Sequence, residues 1–306
     1  MRSNLNPAAR RGFSLTEIMV ALVLLGIVAT GIMTVIMRQQ QFYRSATEVI
    51  DTRQQIRQAS NVVPVDLRGV SSVGGDILGM SDSSLMVRGN IGSAIICSHT
   101  ANTITVPPLN LANSKYFTTF LTRPQVHDAI LVFDDVGPGT ADDIWGVYYI
   151  AGIDSTLAGC GSFTDPTADA AKYRYVYTLT ANLTSTVIDG APLRYARLVK
   201  YSIYKSASDN LWWMGYRECR GDGTGCSTVQ PVSGPYRPYV ANDTINSGLS
   251  FVYRDSTGVI TATGANVARV EMFVHGQTQS SVALGGGKLA PYRDYVKVTI
   301  ALRNRQ

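Results

Sequence analysis

The residue with the clearest chemical demand is Glu17, which stands one position before twenty consecutive uncharged residues, Ile18 to Met37. A carboxylate at the rim of so apolar a segment needs water, hydrogen-bond donors or an opposite charge. Ser14, three residues earlier, supplies one answer: Ser-x-x-Glu is a capping box, in which each side chain serves the other residue's backbone N–H at a helix start. A negative charge in the first turn also suits the helix dipole. The second answer is a cation brought from elsewhere. The local order Arg10-Arg11-Gly12-Phe13-Ser14-Leu15-Thr16-Glu17 places basic residues, a glycine and an aromatic immediately upstream.

Four cysteines, Cys97, Cys160, Cys219 and Cys226, all follow the apolar run. An even number in a non-cytoplasmic domain favours disulfides, with three connectivities open. Cys219 and Cys226 flank the glycine-rich Arg220-Gly221-Asp222-Gly223-Thr224-Gly225, which can close on itself. We therefore expect Cys219–Cys226 and, by elimination, Cys97–Cys160. Their spacing fits no zinc pattern.

The other constellations lack the partners their chemistry requires. His99, His127 and His275 are far apart, there is no Gly-x-Ser-x-Gly elbow, and Gly285-Gly286-Gly287-Lys288 continues into Leu289, not into the Ser or Thr of a phosphate-binding loop. Asp134, Asp135, Asp142 and Asp143 flank Gly137-Pro138-Gly139 and could gather around calcium, although their order is not that of an EF-hand. No other cofactor or metal is expected. For that aspartate loop a solvated turn is the plain reading. Arg220-Gly221-Asp222 could be displayed as an adhesive tripeptide, although such a triplet also occurs by chance. Adjacent Trp212 and Trp213 should face opposite sides of a strand. No catalytic set emerges, and we expect no enzyme.

These residues must be positioned by a helix and a sheet. Twenty helical residues at about 1.5 Å each span the roughly 30 Å of bilayer hydrocarbon. Arg2, Arg10 and Arg11 precede the run and are expected to stay cytoplasmic. Arg38 follows abruptly where a cleaved secretory signal would offer a small-residue site, so the run reads as a lasting anchor. Beyond it, Phe42, Ala46, Val49, Ile56 and Val63 recur at spacings of four, three, seven and seven, which predicts an amphipathic extension over 38–60 with a break or bend at Pro64.

From residue 73 the pattern is short β-branched or aromatic segments bounded by Gly, Asn, Asp or Pro. They are 84–88, 94–97, 103–106, 129–133, 145–150, 173–180, 193–204, 211–217, 249–253, 268–275 and 292–302. Long loops are expected at 134–143, 151–171, 221–247 and 276–291. The fold class is α+β: a long membrane-spanning helix, then a large, mostly antiparallel β domain of two packed sheets. The expected divisions are 1–12, a helix over 13–63 and a β-rich body over 64–306. Formal charge is +5, but setting aside Arg2, Arg10 and Arg11 leaves 24 of the 27 basic residues against 22 acidic ones. So small and dispersed a balance implies no nucleic-acid partner.

The N-terminal stretch resembles the class III signal of type IV prepilins and pseudopilins: a basic leader, Gly12, aromatic Phe13, an acid five residues past the glycine, and an uncharged run. The resemblance implies cleavage after Gly12 and methylation of Phe13 by a prepilin peptidase, with the Glu17 carboxylate pairing with the Phe13 amine of a neighbouring subunit. It also implies a pilin-like fold, single-pass insertion in the bacterial inner membrane with an extracytoplasmic C-terminal domain, and assembly with other minor pilins or pseudopilins, the major pilin and an inner-membrane platform. Major pilins usually carry a proline inside the apolar helix. This chain has none there, only Gly26 and Gly31. The polar extension to Asp66-Leu67-Arg68-Gly69, the large β body and the terminal Val296-Lys297-Val298-Thr299-Ile300-Ala301-Leu302-Arg303-Asn304-Arg305 are similar to the PilW family of minor pilins, whose near relation is GspJ of type II secretion. The function implied is a minor subunit that starts or caps a pilus-like filament. A GspJ-like pseudopilin and a single-pass envelope protein binding a ligand through its β domain are the alternatives.

Overall fold

The computed structural model describes residues 14–112, 115–137, 143–223, 225–284 and 288–302. Helix α1 runs from Leu15 to Leu67 without interruption. Two compact units divide the chain: Met1–Asp51 with Gln279–Tyr292, and Thr52–Thr278 with Arg293–Gln306.

In the second unit the helix buries Thr52, Ile56, Ala59, Val63, Pro64 and Leu67. Of the expected seam, Ile56 and Val63 lie in the core, Ala46 and Val49 are half-buried, and Phe42 is exposed. Thr52 and Ala59 complete the seam, and both are small enough to let the helix approach the sheet closely. Of the break or bend expected at Pro64, the break does not occur, since the helix continues through it. Proline there forfeits one N–H bond to the preceding turn. Burial of Val63, Pro64 and Leu67 offsets that loss, and the Pro64 carbonyl still accepts from the Arg68 N–H at 3.2 Å. The helix therefore ends at Leu67, four residues later than the expected boundary at 63.

Among the described residues fourteen strands follow: β1 (Ile77–Met80), β2 (Ser84–Ile95), β3 (Ser98–His99), β4 (Thr103–Val106), β5 (Thr118–Phe120), β6 (Ala129–Asp134), β7 (Ile144–Thr156), β8 (Arg174–Leu179), β9 (Pro192–Lys205), β10 (Trp212–Cys219), β11 (Gln230–Tyr236), β12 (Leu249–Arg254), β13 (Arg269–Leu284) and β14 (Lys288–Ala301). They form one hydrogen-bonded path, β12-β13-β11-β10-β9-β6-β7-β8-β4-β3, with β14 on β13, β2 on β9, and β1 and β5 on β2.

The antiparallel body is as expected, but its strands make one continuous path where two sheets were predicted. The reason is strand length. β9 pairs with β2 along one edge and divides its other edge between β10, from Lys205 to Leu198, and β6, from Ala196 to Leu193. Likewise β7 pairs first with β6 and then, from Ile150, with β8. Two main apolar clusters result. One joins Ile56, Ala59, Val63 and Leu67 of the helix to Leu85, Val87, Val199, Tyr201, Met214 and Met272. The other is built on Ile96, Ile104, Ile130, Ile150, Tyr177 and Tyr195.

Strands also occupy parts of the predicted loops. β7 continues to Thr156, β11 lies within 221–247, and β13 and β14 leave only 285–287 between them. The segments Ser280-Ser281 and Gln230-Pro231 lack the apolar alternation that marks a strand packed on one face. Backbone pairing alone extends the strands there.

Candidate functional site

The helix start is built as the capping box predicts. The Ser14 N–H donates to Glu17 Oε2 at 2.9 Å, the Ser14 hydroxyl donates to the same oxygen at 3.0 Å, and the Glu17 N–H donates back to Ser14 Oγ at 3.3 Å. These bonds satisfy backbone donors that the first turn of any helix leaves unpaired. They also hold the carboxylate at the rim of the apolar segment. Gly12 and Phe13 lie outside the described residues.

From Ile18 to Met37 the helix presents fourteen exposed large apolar side chains, and none of the residues in its most hydrophobic stretch is buried. At about 1.5–3 kcal/mol for each such side chain removed from water, the segment forgoes roughly 20–40 kcal/mol unless an apolar medium surrounds it. That exceeds the net stability of about 5–15 kcal/mol typical of a folded domain. The segment thus needs lipid or other apolar helices. Its only polar side chains are adapted to that setting. The Thr30 hydroxyl donates to the Gly26 and Ile27 carbonyls at 2.9 Å, and the Thr34 hydroxyl donates to the Thr30 carbonyl at 2.8 Å.

Past the membrane-length segment, polar contacts tie the helix end to the sheet. Gln55 Oε1 accepts from the Gly234 N–H at 3.1 Å, and the Tyr201 hydroxyl donates to Asp66 Oδ2 at 2.6 Å. Burial raises the Asp66 carboxyl above its ordinary range, and the Tyr201 hydrogen bond only partly opposes it. Where the chain leaves the helix, the fully buried Asp76 accepts from the Ser71 N–H at 2.8 Å and from Arg194 at 2.9 and 3.2 Å. Apart from Ser71 with Asp76, these pairs lie more than a hundred residues apart in sequence, and no local signal announces them.

Both expected disulfides are present, Cys97–Cys160 with Cα atoms 5.0 Å apart and Cys219–Cys226 with Cα atoms 3.9 Å apart. Within the small loop the Arg220 N–H donates to the Gly225 carbonyl at 2.7 Å, and the Gly221 N–H donates to the His127 carbonyl at 2.8 Å. A side chain at Gly221 would meet Tyr149 Cδ1 at 2.5 Å and the His127 carbonyl oxygen at 2.7 Å, so the centre of the Arg-Gly-Asp triplet is packed against the sheet. Beside it lies an open groove of about 400 Å³. Its buried Arg197 is held by Asp128 at 2.8 and 3.0 Å and by the Arg123 carbonyl at 3.1 Å.

The remaining candidates stay apart. His99 bonds Asp189 at 2.7 Å, while buried His275 donates Nδ1–H to the Ser247 carbonyl at 2.9 Å. Asp134 accepts from the Thr184 and Thr186 hydroxyls, and Asp142 lies outside the described residues. Among the described residues no three His, Cys, Asp or Glu side chains gather as a metal site. Trp212 packs near Tyr239 with ring centroids 6.3 Å apart, and Trp213 donates Nε1–H to Asp209 at 3.0 Å.

No curated protein and no solved structure matches the chain. Residues 7–33 match the prokaryotic N-terminal methylation motif, spanning Gly12, Phe13, Glu17 and most of the apolar run. The motif implies a prepilin-type protein, pilin-like or pseudopilin, and the one membrane-length helix among the described residues, followed by a β body, fits a membrane-anchored, single-pass chain.

Proposed function

We propose that the chain is a minor pilin of the PilW type, which co-assembles with other minor pilins to initiate or cap a type IV pilus-like filament. It acts by assembly and not by catalysis. A prepilin peptidase cuts after Gly12 and methylates Phe13. The new amine of one subunit then meets Glu17 of its neighbour as both apolar helices leave the lipid for a bundle of like helices. A charge pair entering an apolar bundle is tolerable only when both members are compensated. The extracytoplasmic β domain contacts other minor subunits, the major pilin and the inner-membrane platform, at or near the filament tip.

The observation that carries this reading is the division of labour along one helix. Its first part, directly after the methylation motif, is uncovered and apolar throughout, whereas Ile56, Ala59, Val63 and Leu67 are fixed in the protein's own core. Such a helix can exchange lipid for neighbouring helices with little change of medium while its domain stays folded. The absence of proline within Ile18–Met37 favours a minor over a major subunit.

Mass analysis of the N-terminus of the membrane-associated protein from its native host tests the proposal. A chain beginning at methylated Phe13 is expected. Retention of Met1 to Gly12 would point instead to a single-pass envelope protein. Co-purification with secretion pseudopilins in place of pilus subunits would assign the GspJ-like role.

A further inference from the structure

We infer that the paired ends of β13 and β14 form a second membrane contact, which rests with the adjoining helix face on anionic phospholipid headgroups at the point where α1 leaves the bilayer. The inference rests on the helix being seated in lipid and is independent of filament assembly.

Within the first unit the Ser280 N–H donates to Glu48 Oε2 at 3.0 Å. Strand residues advance about 3.3 Å each, so Leu284 stands about 13 Å further along than Ser280. On the helix, Met37 lies eleven residues before Glu48, or about 16 Å. The strand runs toward the membrane end, because Val282 and Leu289 share an open groove of about 730 Å³ with Arg38, Gln41 and Phe42. The strand ends thus come nearly level with the last residue of the uncharged run.

That level is the headgroup layer, and the side chains there suit it. Phe42 and Tyr43 are 69% and 60% exposed with ring centroids 6.1 Å apart, and Leu289 is 72% exposed. Aromatic rings favour this interface, and arginine can lay its stem along apolar surface while its head reaches phosphate. Arg38 and Arg44 are both exposed, and no acidic residue lies between Ile18 and Thr47. The patch therefore matches an anionic lipid surface in charge and is continuous with the membrane-length segment.

The test uses the full chain, with its disulfides intact, in lipid nanodiscs loaded with one chain per disc. A nitroxide label is attached at L289C, with V259C on an exposed turn as reference, and accessibility to a water-soluble nickel chelate is compared with accessibility to oxygen. In discs of phosphatidylcholine plus phosphatidylglycerol, the label at 289 is expected to be several-fold less accessible to the chelate than the label at 259. The variants R38S and R44S should each lower the docked population about five-fold in these discs. They should leave discs of phosphatidylcholine alone unchanged. Equal chelate access at 289 and 259 would overturn the inference. Protection that survives both substitutions would overturn the headgroup recognition. Protection seen only with two chains per disc would make the groove an interface between copies. None of these outcomes depends on whether Phe13 is methylated.

Discussion

Substitution of Gly276 on β13 should show how the sheet sets the height of the helix. A methyl group added at Gly276 would meet Thr52 Cγ2 at 2.7 Å and Ile56 Cδ1 at 2.8 Å, both well inside contact distance. Ile56 can turn its terminal methyl aside, but Thr52 is β-branched and stiff within a helix. Gly276→Ala is therefore an overpacking change, expected to cost about 1–3 kcal/mol. Ile56→Val removes Cδ1 and alone should cost about 0.5–1.5 kcal/mol through the small cavity it leaves. Together the two should cost less than their sum by at least about 0.5 kcal/mol, because the added methyl occupies the space vacated. Urea unfolding of the detergent-solubilised chain, followed by the fluorescence of Trp145, Trp212 and Trp213, measures all four corners of the cycle. Additive costs, or a Gly276→Ala chain as stable as the parent, would refute the claim that close approach at this glycine positions the helix.

Replacing Gly12 with a bulky residue should block maturation, while Glu17→Ala should leave cleavage intact but depress incorporation into filaments; intact-mass analysis and filament counts separate the two. Removing Cys97–Cys160, whose cysteines are 63 residues apart, should cost more stability than removing Cys219–Cys226, 7 apart; loop-closure entropy suggests about 4 against about 2.5 kcal/mol, readable as shifts of the urea midpoint. Burial raises the Asp66 carboxyl in the folded state, so the folded chain binds the proton more tightly and stability should fall as pH rises from 3.8 through the folded value; Asp66→Asn should remove that slope in pH-dependent unfolding. His275 has the opposite sign. Burial lowers its folded pKa, so stability should be lost as pH falls from 6.5 through the folded value, and His275→Gln should flatten that limb.

Much of the architecture is written in short-range patterns. The capping box needs only two residues three apart, and Ser14 and Glu17 form it as their spacing requires. The strand at 103–106 coincides with its predicted bounds, 84–88, 129–133, 145–150, 193–204 and 249–253 lie within longer strands, and the other predicted segments overlap strands with shifted ends. Pro64 was misleading because the local penalty of a proline is visible in sequence, whereas the burial of Val63 and Leu67 that outweighs it is not. The arm formed by β13 and β14 was hidden because Gln277, Gln279, Ser280 and Ser281 carry no apolar alternation, so neither face advertises a partner.

The membrane-length segment, its basic leader, its acid and the two disulfide pairs follow from residue type and spacing, since charge, hydropathy and short loop closure act over a few residues. The meeting of Tyr201 with Asp66, of Arg194 with Asp76 and of Gly276 with Thr52 was decided only when the strands paired. Those contacts join distant parts of the chain, and their partners are selected by register and by the space left in the core, quantities that no local window contains.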